Sequence, residues 1–279
     1  MPDIRHYAIP SRLQAFIERA MTLDFTHSVG ATWHVVPTGC FGIGTLVGNL
    51  PGADERFISD SPECTFTGVL PHAVGTWCDR PVVSMGVTLT PLAASMLPLD
   101  AHDFDESSFL PAERLIGGSV VTRLRGQVLD AATLDDKMQA YLAWVEALLF
   151  DRRPPHGRRA AIAEAAMRMR APDGPNVEEA ALRVGVRRRQ FERDFRRYLG
   201  TTPKRYAMAA KVQQMAQLAW QGHGLADIAA ALRYADQAHM THAIRDITGS
   251  SPGAFLQRAS VSAFARATRP FWDGRISNL

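Results

Sequence analysis

Gly200-Thr201-Thr202-Pro203-Lys204-Arg205-Tyr206 and Gly249-Ser250-Ser251-Pro252-Gly253-Ala254-Phe255 are two versions of one phrase, 49 residues apart. In the first, Gly200 stops one helix, Thr202 caps the next, and Pro203 takes the first helical position, where its missing N–H is no loss. The repeat extends upstream. At the same offset Glu178 maps to Asp227, Ala180 to Ala229, Ala181 to Ala230, Phe191 to Met240, Phe195 to Ile244 and Arg196 to Arg245. Two copies are too few for a solenoid, so a duplicated small helical module fits better.

Each copy reads as helix, tight turn, helix. Asn176 before Val177-Glu178-Glu179 has the form of a capping box, the helix runs to about Val184, and Gly185 breaks it. A second helix, Arg187–Leu199, ends at Gly200. This is the helix-turn-helix arrangement. Phe191, Phe195 and Leu199 recur at i, i+4 and i+8 and face the module core, while Arg189, Arg193 and Arg196 share another face with Glu192 beside them. Such a face suits the major groove, where arginine bonds guanine O6 and N7. A solvated charged face is the alternative. In the second copy the first helix is Leu225–Leu232, the turn is Tyr234-Ala235, and Asp236 caps Gln237–Thr248. Met240, Ile244 and Ile247 point inward; Gln237, Ala238, Thr241, His242 and Arg245 point outward and are only weakly basic, so this face is expected to contribute less affinity. Between the copies Pro203–Trp220 reads as one helix, a rod of roughly 27 Å. That rod can hold two recognition helices in major-groove turns about 34 Å apart.

The rest of the chain differs in charge and pattern. Residues 1–157 hold 11 Lys+Arg and 18 Asp+Glu, whereas residues 158–258 hold 17 and 9. The basic segment calls for an anionic partner, with nucleic acid first and an anionic membrane as the alternative that charge alone leaves open. The first ninety residues read as β-rich, with strands at Thr32–Val36, Phe41–Val47, Cys64–Leu70 and Val82–Leu89. Gly42 and Gly44 read as glycines of a close-packed strand, since no nucleotide-loop lysine follows them. From Pro91 the pattern turns helical, and Leu134 to Leu149 carries one apolar stripe. The linker is placed at 151–157, Asp151-Arg152-Arg153-Pro154-Pro155-His156-Gly157. The fold class is α+β: a β-rich domain with trailing helices at 1–150, then an all-α domain of two helix-turn-helix motifs joined by a linker helix at 158–258, and a tail at 259–279.

No apolar run reaches the ~18 residues of a membrane span. No secretory leader is read at the N-terminus, and three sparse cysteines imply no disulfide framework, so the cytoplasm is expected. Cys64, His72 and Cys78, with His34 or Cys40, match no metal-ligand spacing. No catalytic constellation stands out, and neither metal nor cofactor is expected. The competing reading is a DNA-tethered enzyme with a metal or thiol site in the N-terminal domain. Trp33, Phe41, Phe66 and Trp77 are read as core rather than as pocket walls. The ligand-binding residues are unknown at this level.

Residues 158–258 resemble the AraC/XylS family of transcriptional regulators. The resemblance rests on Val177–Val186, Arg189–Phe195, Gly200–Tyr206, Asp227-Ile228-Ala229 and Gly249–Pro252, in matching order and spacing. It implies binding of double-stranded promoter DNA by two helix-turn-helix motifs, with base and phosphate contacts on Arg189, Glu192, Arg193 and Arg196, and on Gln237, Ala238, Thr241 and His242. It also implies RNA polymerase as a partner, a small-molecule effector, and a homodimer. Departures from the family pattern are Arg187 in place of a serine cap, Arg233 in place of the second turn's glycine, Met240 and Ile244 in place of aromatics, and His242 in place of arginine. Val36–Cys40, Thr67–Leu70 and Gly86–Pro91 are similar to a sensor-type domain found in some of these regulators.

Overall fold

The computed structural model describes residues 3–27, 32–35, 41–46, 64–69, 74–77, 82–99, 109–151, 155–171 and 173–257. Its strands are β1 (Asp3–Tyr7), β2 (Ile17–Asp24), β3 (Thr32–Val35), β4 (Phe41–Leu46), β5 (Cys64–Thr67), β6 (Val74–Trp77), β7 (Val83–Leu89) and β8 (Phe109–Pro111). Six form one sheet in the order β1-β2-β7-β4-β5-β8, and β3 pairs with β6. Every pairing is antiparallel. The strands read from the sequence correspond to β3, β4, β5 and β7. Alternate residues of β4, β5 and β7 are buried, among them Phe41, Ile43, Cys64, Phe66, Val83, Met85 and Val87. That is the period-2 signature of a sheet with one packed face.

The close packing expected at Gly42 and Gly44 falls instead on their neighbour Gly86, since a Cβ at either of the first two would meet only ordinary contacts. Gly44 stands opposite Gly86 across β4 and β7. A Cβ on Gly86 would sit 2.8 Å from the Ile43 carbonyl oxygen, closer than any side chain tolerates. The two backbones approach there because Gly86 has no side chain, whereas a Cβ on Gly44 would make only an ordinary contact with the Met85 carbonyl at 3.5 Å.

The helices are α1 (Pro91–Met96), α2 (Ala112–Ile116), α3 (Gly118–Asp130), α4 (Leu134–Phe150), α5 (Gly157–Met169), α6 (Val177–Val184), α7 (Arg188–Leu199), α8 (Pro203–Trp220), α9 (Leu225–Ala231), α10 (Gln237–Thr248) and α11 (Pro252–Gln257). Thr133 caps α4 by accepting from the Asp136 amide at 3.1 Å, and Asp135 and Asp136 suit the positive end of its dipole. Its stripe Met138, Tyr141, Leu142, Val145, Leu148 and Leu149 is buried as the periodicity predicts. The buried Tyr141 hydroxyl donates to the Ile43 carbonyl of β4 at 2.8 Å, tying this helix to the sheet.

The described core is continuous from the sheet to the last helices. Helix α1, with Thr90 as its cap, packs against α5 and α7. Phe41 of β4 stacks on Tyr206 of α8 with ring centroids 6.4 Å apart, and Tyr206 meets Phe195 of α7 edge-on at 5.5 Å. Arg170, after α5, pairs with Glu18 of β2, one of its bonds being 3.0 Å long. Gln214 of α8 donates to the Arg170 carbonyl. Phe41, read as core from sequence, therefore lies where sheet and helical region meet.

Candidate nucleic-acid interface

Two helix pairs, α6–α7 and α9–α10, carry the candidate interface. Asn176 accepts from the Glu179 amide at 3.0 Å, and the Glu179 carboxylate accepts from the Asn176 amide at 3.0 Å, a complete capping box. The helix closes with Gly185 at φ +75°. The Val186 amide donates to Ala181 at 3.0 Å and the Gly185 amide to Leu182 at 3.0 Å. This is a Schellman closure. The second pair turns in the same way. The Tyr234 amide donates to Ala229 at 2.9 Å and the Arg233 amide to Ala230 at 3.0 Å, with Arg233 at φ +57°. Arginine thus occupies the left-handed position that glycine fills without a Cβ penalty.

This equivalence corrects the repeat read from sequence. The matching turn positions, Gly185 and Arg233, are 48 residues apart, and the buried pair Ala180-Ala181 corresponds to Ile228-Ala229. Ala230, aligned with Ala181 by the 49-residue offset, is exposed. The caps Arg187 and Asp236 are 49 apart, so the second turn holds one extra residue. The 49-residue offset therefore holds from the second helix of each pair onward, and the first helices align at 48.

Phe191, Phe195 and Leu199 of α7 are almost fully buried, and Phe191 and Phe195 pack at 5.6 Å between ring centroids. Arg189, Arg193 and Arg196 are exposed and Glu192 is half-buried. Arg188, which the sequence reading passed over, donates to Glu192 at 2.9 Å. That bond, reinforced by the carboxylate's charge, holds the Arg188 guanidinium above its ordinary value. Glu192 is therefore already engaged within its own helix. Arg187 caps α7 without a side-chain hydrogen bond, the physical result of having guanidinium where an acceptor is needed.

On α10, Met240, Ile244 and Ile247 are buried, while Gln237, Ala238 and His242 are exposed and Thr241 half-buried. Asp236 caps it by accepting from the His239 amide at 2.7 Å. Beside this turn the Lys211 ammonium of α8 lies 4.4 Å from the Tyr234 ring centroid. Burial and then the nearby Arg233 lower its pKa from the usual lysine value. Lys211 was missed because, within α8, it reads as an ordinary surface lysine. Helix α8 runs unbroken over 18 residues, with Thr202 accepting from the Arg205 amide at its start.

Of the cysteines named for the enzymatic alternative, Cys64 lies among the described residues. Cys64 is buried, and burial, with Glu113 adding, pushes its thiol up to about 12, so it is protonated and shielded. Cys40, His72 and Cys78 lie outside the described residues, and nothing is described of the His34 side chain. No helix among the described residues is long and apolar enough to cross a membrane.

The helix-turn-helix domain family matches residues 158–258, the span that carries the resemblance read from the sequence. No curated protein matches the chain. Among solved structures the chain is similar to ToxT from Vibrio cholerae O395, with 9% identity, a TM-score of 0.43, and coverage of 87% of this chain and 97% of that one. It is also similar to the unsaturated fatty acid-bound wild-type ToxT from Vibrio cholerae strain SCE256, at 9% identity, a TM-score of 0.42, and coverage of 84% and 93%. With the paired modules and the family match in place, residues 158–258 are a helix-turn-helix domain of the AraC/XylS type, and the chain is a DNA-binding transcription regulator carrying that domain behind an antiparallel-sheet domain.

Proposed function

We propose that α7 and α10 enter successive major-groove turns on one face of a promoter and read its sequence. Arg189, Glu192, Arg193 and Arg196 contact one block, and Gln237, Ala238, Thr241 and His242 the other. The observation that carries this reading is the pair of equivalent Schellman-closed modules at the two ends of one unbroken helix. Selection from random duplexes with the full chain should return two blocks about 10–10.5 base pairs apart, centre to centre. Recovery of one block alone contradicts it.

The domains run 1–150 and 158–258, with 151–157 between them and a tail at 259–279. The N-terminal domain modulates DNA binding through the surface where α1 meets α5 and α7. Phe41, Tyr206 and Phe195 support this, because they join the sheet to the core beneath the first recognition helix. The N-terminal domain takes a small-molecule effector or a second subunit. The protein works in the cytoplasm with RNA polymerase. Replacing Phe41 with leucine should alter DNA affinity without touching any DNA-facing residue. Unaltered affinity in that variant counts against coupling through this contact.

A further inference from the structure

Asp194 carries a negative charge on the helix that the proposed function turns towards a polyanion, and it is only 6% exposed. Both of its oxygens are used. Oδ1 accepts from Gln190 Nε2 at 2.6 Å, and Oδ2 faces Arg158 Nη1 at 3.6 Å. An ionised carboxylate only accepts hydrogen bonds, so Gln190 must present its NH2 group to Asp194. The carbonyl end of the same amide is thereby turned away, and Oε1 accepts from Nη2 of Arg193. Residues 190, 193 and 194 share one helical surface at i, i+3 and i+4, so no distant element has to close the chain of bonds. Nη2 keeps a second hydrogen and Nη1 keeps both of its own, which leaves a bidentate approach to guanine open.

We propose that Gln190 and Asp194 are positioning residues that orient Arg193 before DNA arrives and set a guanine preference at the base it meets. The proposal rests on the reading of Arg193 as a base contact. An untethered arginine reaches bases, phosphates and water with many rotamers; an anchored one has lost much of that freedom before binding. Asp194 acts through Gln190 and touches no DNA. Its buried charge fixes which way the amide faces, and so whether Arg193 meets an acceptor or a donor.

The test compares base-preference profiles of full-length variants on a randomised duplex library, with the thermal midpoint measured alongside. Gln190→Leu should flatten the preference at one base pair about tenfold, leaving the other block and affinity for unrelated duplex unchanged. Asp194→Leu should flatten the same position, and Asp194→Asn, which keeps a carbonyl acceptor, should restore most of it. Arg158→Gln should leave the profile intact whatever it does to the midpoint. If Gln190→Leu keeps the wild-type profile while Arg193→Ala flattens it, the relay is overturned and the base contact stands. If Arg193→Ala also keeps it, the assignment of that helix face is wrong and the relay goes with it. Changes confined to the midpoint in the Gln190 and Asp194 variants reduce both residues to a structural role and overturn the proposal.

Discussion

The first module closes its turn with Gly185 and the second with Arg233, yet both use the same two backbone hydrogen bonds. The first rests on Phe191 and Phe195, the second on Met240 and Ile244 at the equivalent buried positions. The first presents exposed arginines; the second presents Gln237, Ala238 and His242. The first caps its recognition helix with no side-chain bond, the second with Asp236. The backbone has thus been kept while core size, charge and local propensity were redistributed. The first module has the larger core and the stronger electrostatic face. The second has the better cap and the more strained turn.

The largest expected effect lies in the two cores. Phe195→Ala should cost about 3–5 kcal/mol of stability, because it leaves a cavity between Phe191 and Tyr206. Its counterpart Ile244→Ala should cost less, about 2–4 kcal/mol. Denaturant melts of the two variants decide it, and a larger loss for Ile244→Ala would reverse the ranking of the modules.

Next come the side chains proposed to face DNA. Arg193→Ala should weaken binding to the selected site by about 1–3 kcal/mol. His242→Ala, one module further on, should lose less than about 1 kcal/mol, since an imidazole lacks the bidentate fork that arginine presents. Titrations at one fixed salt concentration compare them. Equal losses would mean that both faces bear the same share of recognition.

The turns should give smaller and opposite changes. A Cβ on Gly185 meets no atom within 4 Å, so Gly185→Ala carries only the cost of the left-handed backbone, about 1 kcal/mol. Arg233→Gly should relieve that cost and gain up to about 1 kcal/mol, less the entropy glycine adds to the unfolded chain. Loss of stability in Arg233→Gly would show that the Arg233 side chain stabilises the turn by more than its backbone strain. The helix caps close the series. Arg187→Ser should stabilise by about 0.5–1 kcal/mol, and Asp236→Ala should destabilise by a similar amount. A thermal midpoint for each suffices, and a neutral Arg187→Ser would remove the cap from the comparison.

Legibility in the sequence followed the locality of the signal. Thr202 and Pro203 begin α8 and no glycine or proline interrupts it, so its bounds could be read directly. The Asn176–Glu179 capping box is equally local. Strands β1 and β2 escaped notice because Asp3–Tyr7 and Ile17–Asp24 carry charges among their apolar residues; they are held by pairing to each other and to β7. Helix α5 escaped because its buried face is largely alanine, Ala163, Ala165 and Ala166, which gives a weak apolar stripe. The contact of α1 with α5 and α7, and the stacking of Phe41 on Tyr206, join residues far apart in the chain and have no local signature. The outward residues of α7 and α10 were assigned to the correct faces from helical period alone. The bonds that tie Arg188 to Glu192 and Arg193 to Gln190 needed side-chain positions.

The central claim is that both modules read one face of one duplex at a spacing set by α8. The direct measurement places five extra base pairs between the two blocks of the selected site, which puts them on opposite faces of the duplex, and titrates the full chain. The account predicts that affinity falls to the level of a site with one block scrambled, and that ten extra base pairs do not restore it, because α8 is a rod of only ~27 Å. Affinity that survives the five-base-pair insertion unchanged would contradict the account and leave at most one module reading DNA.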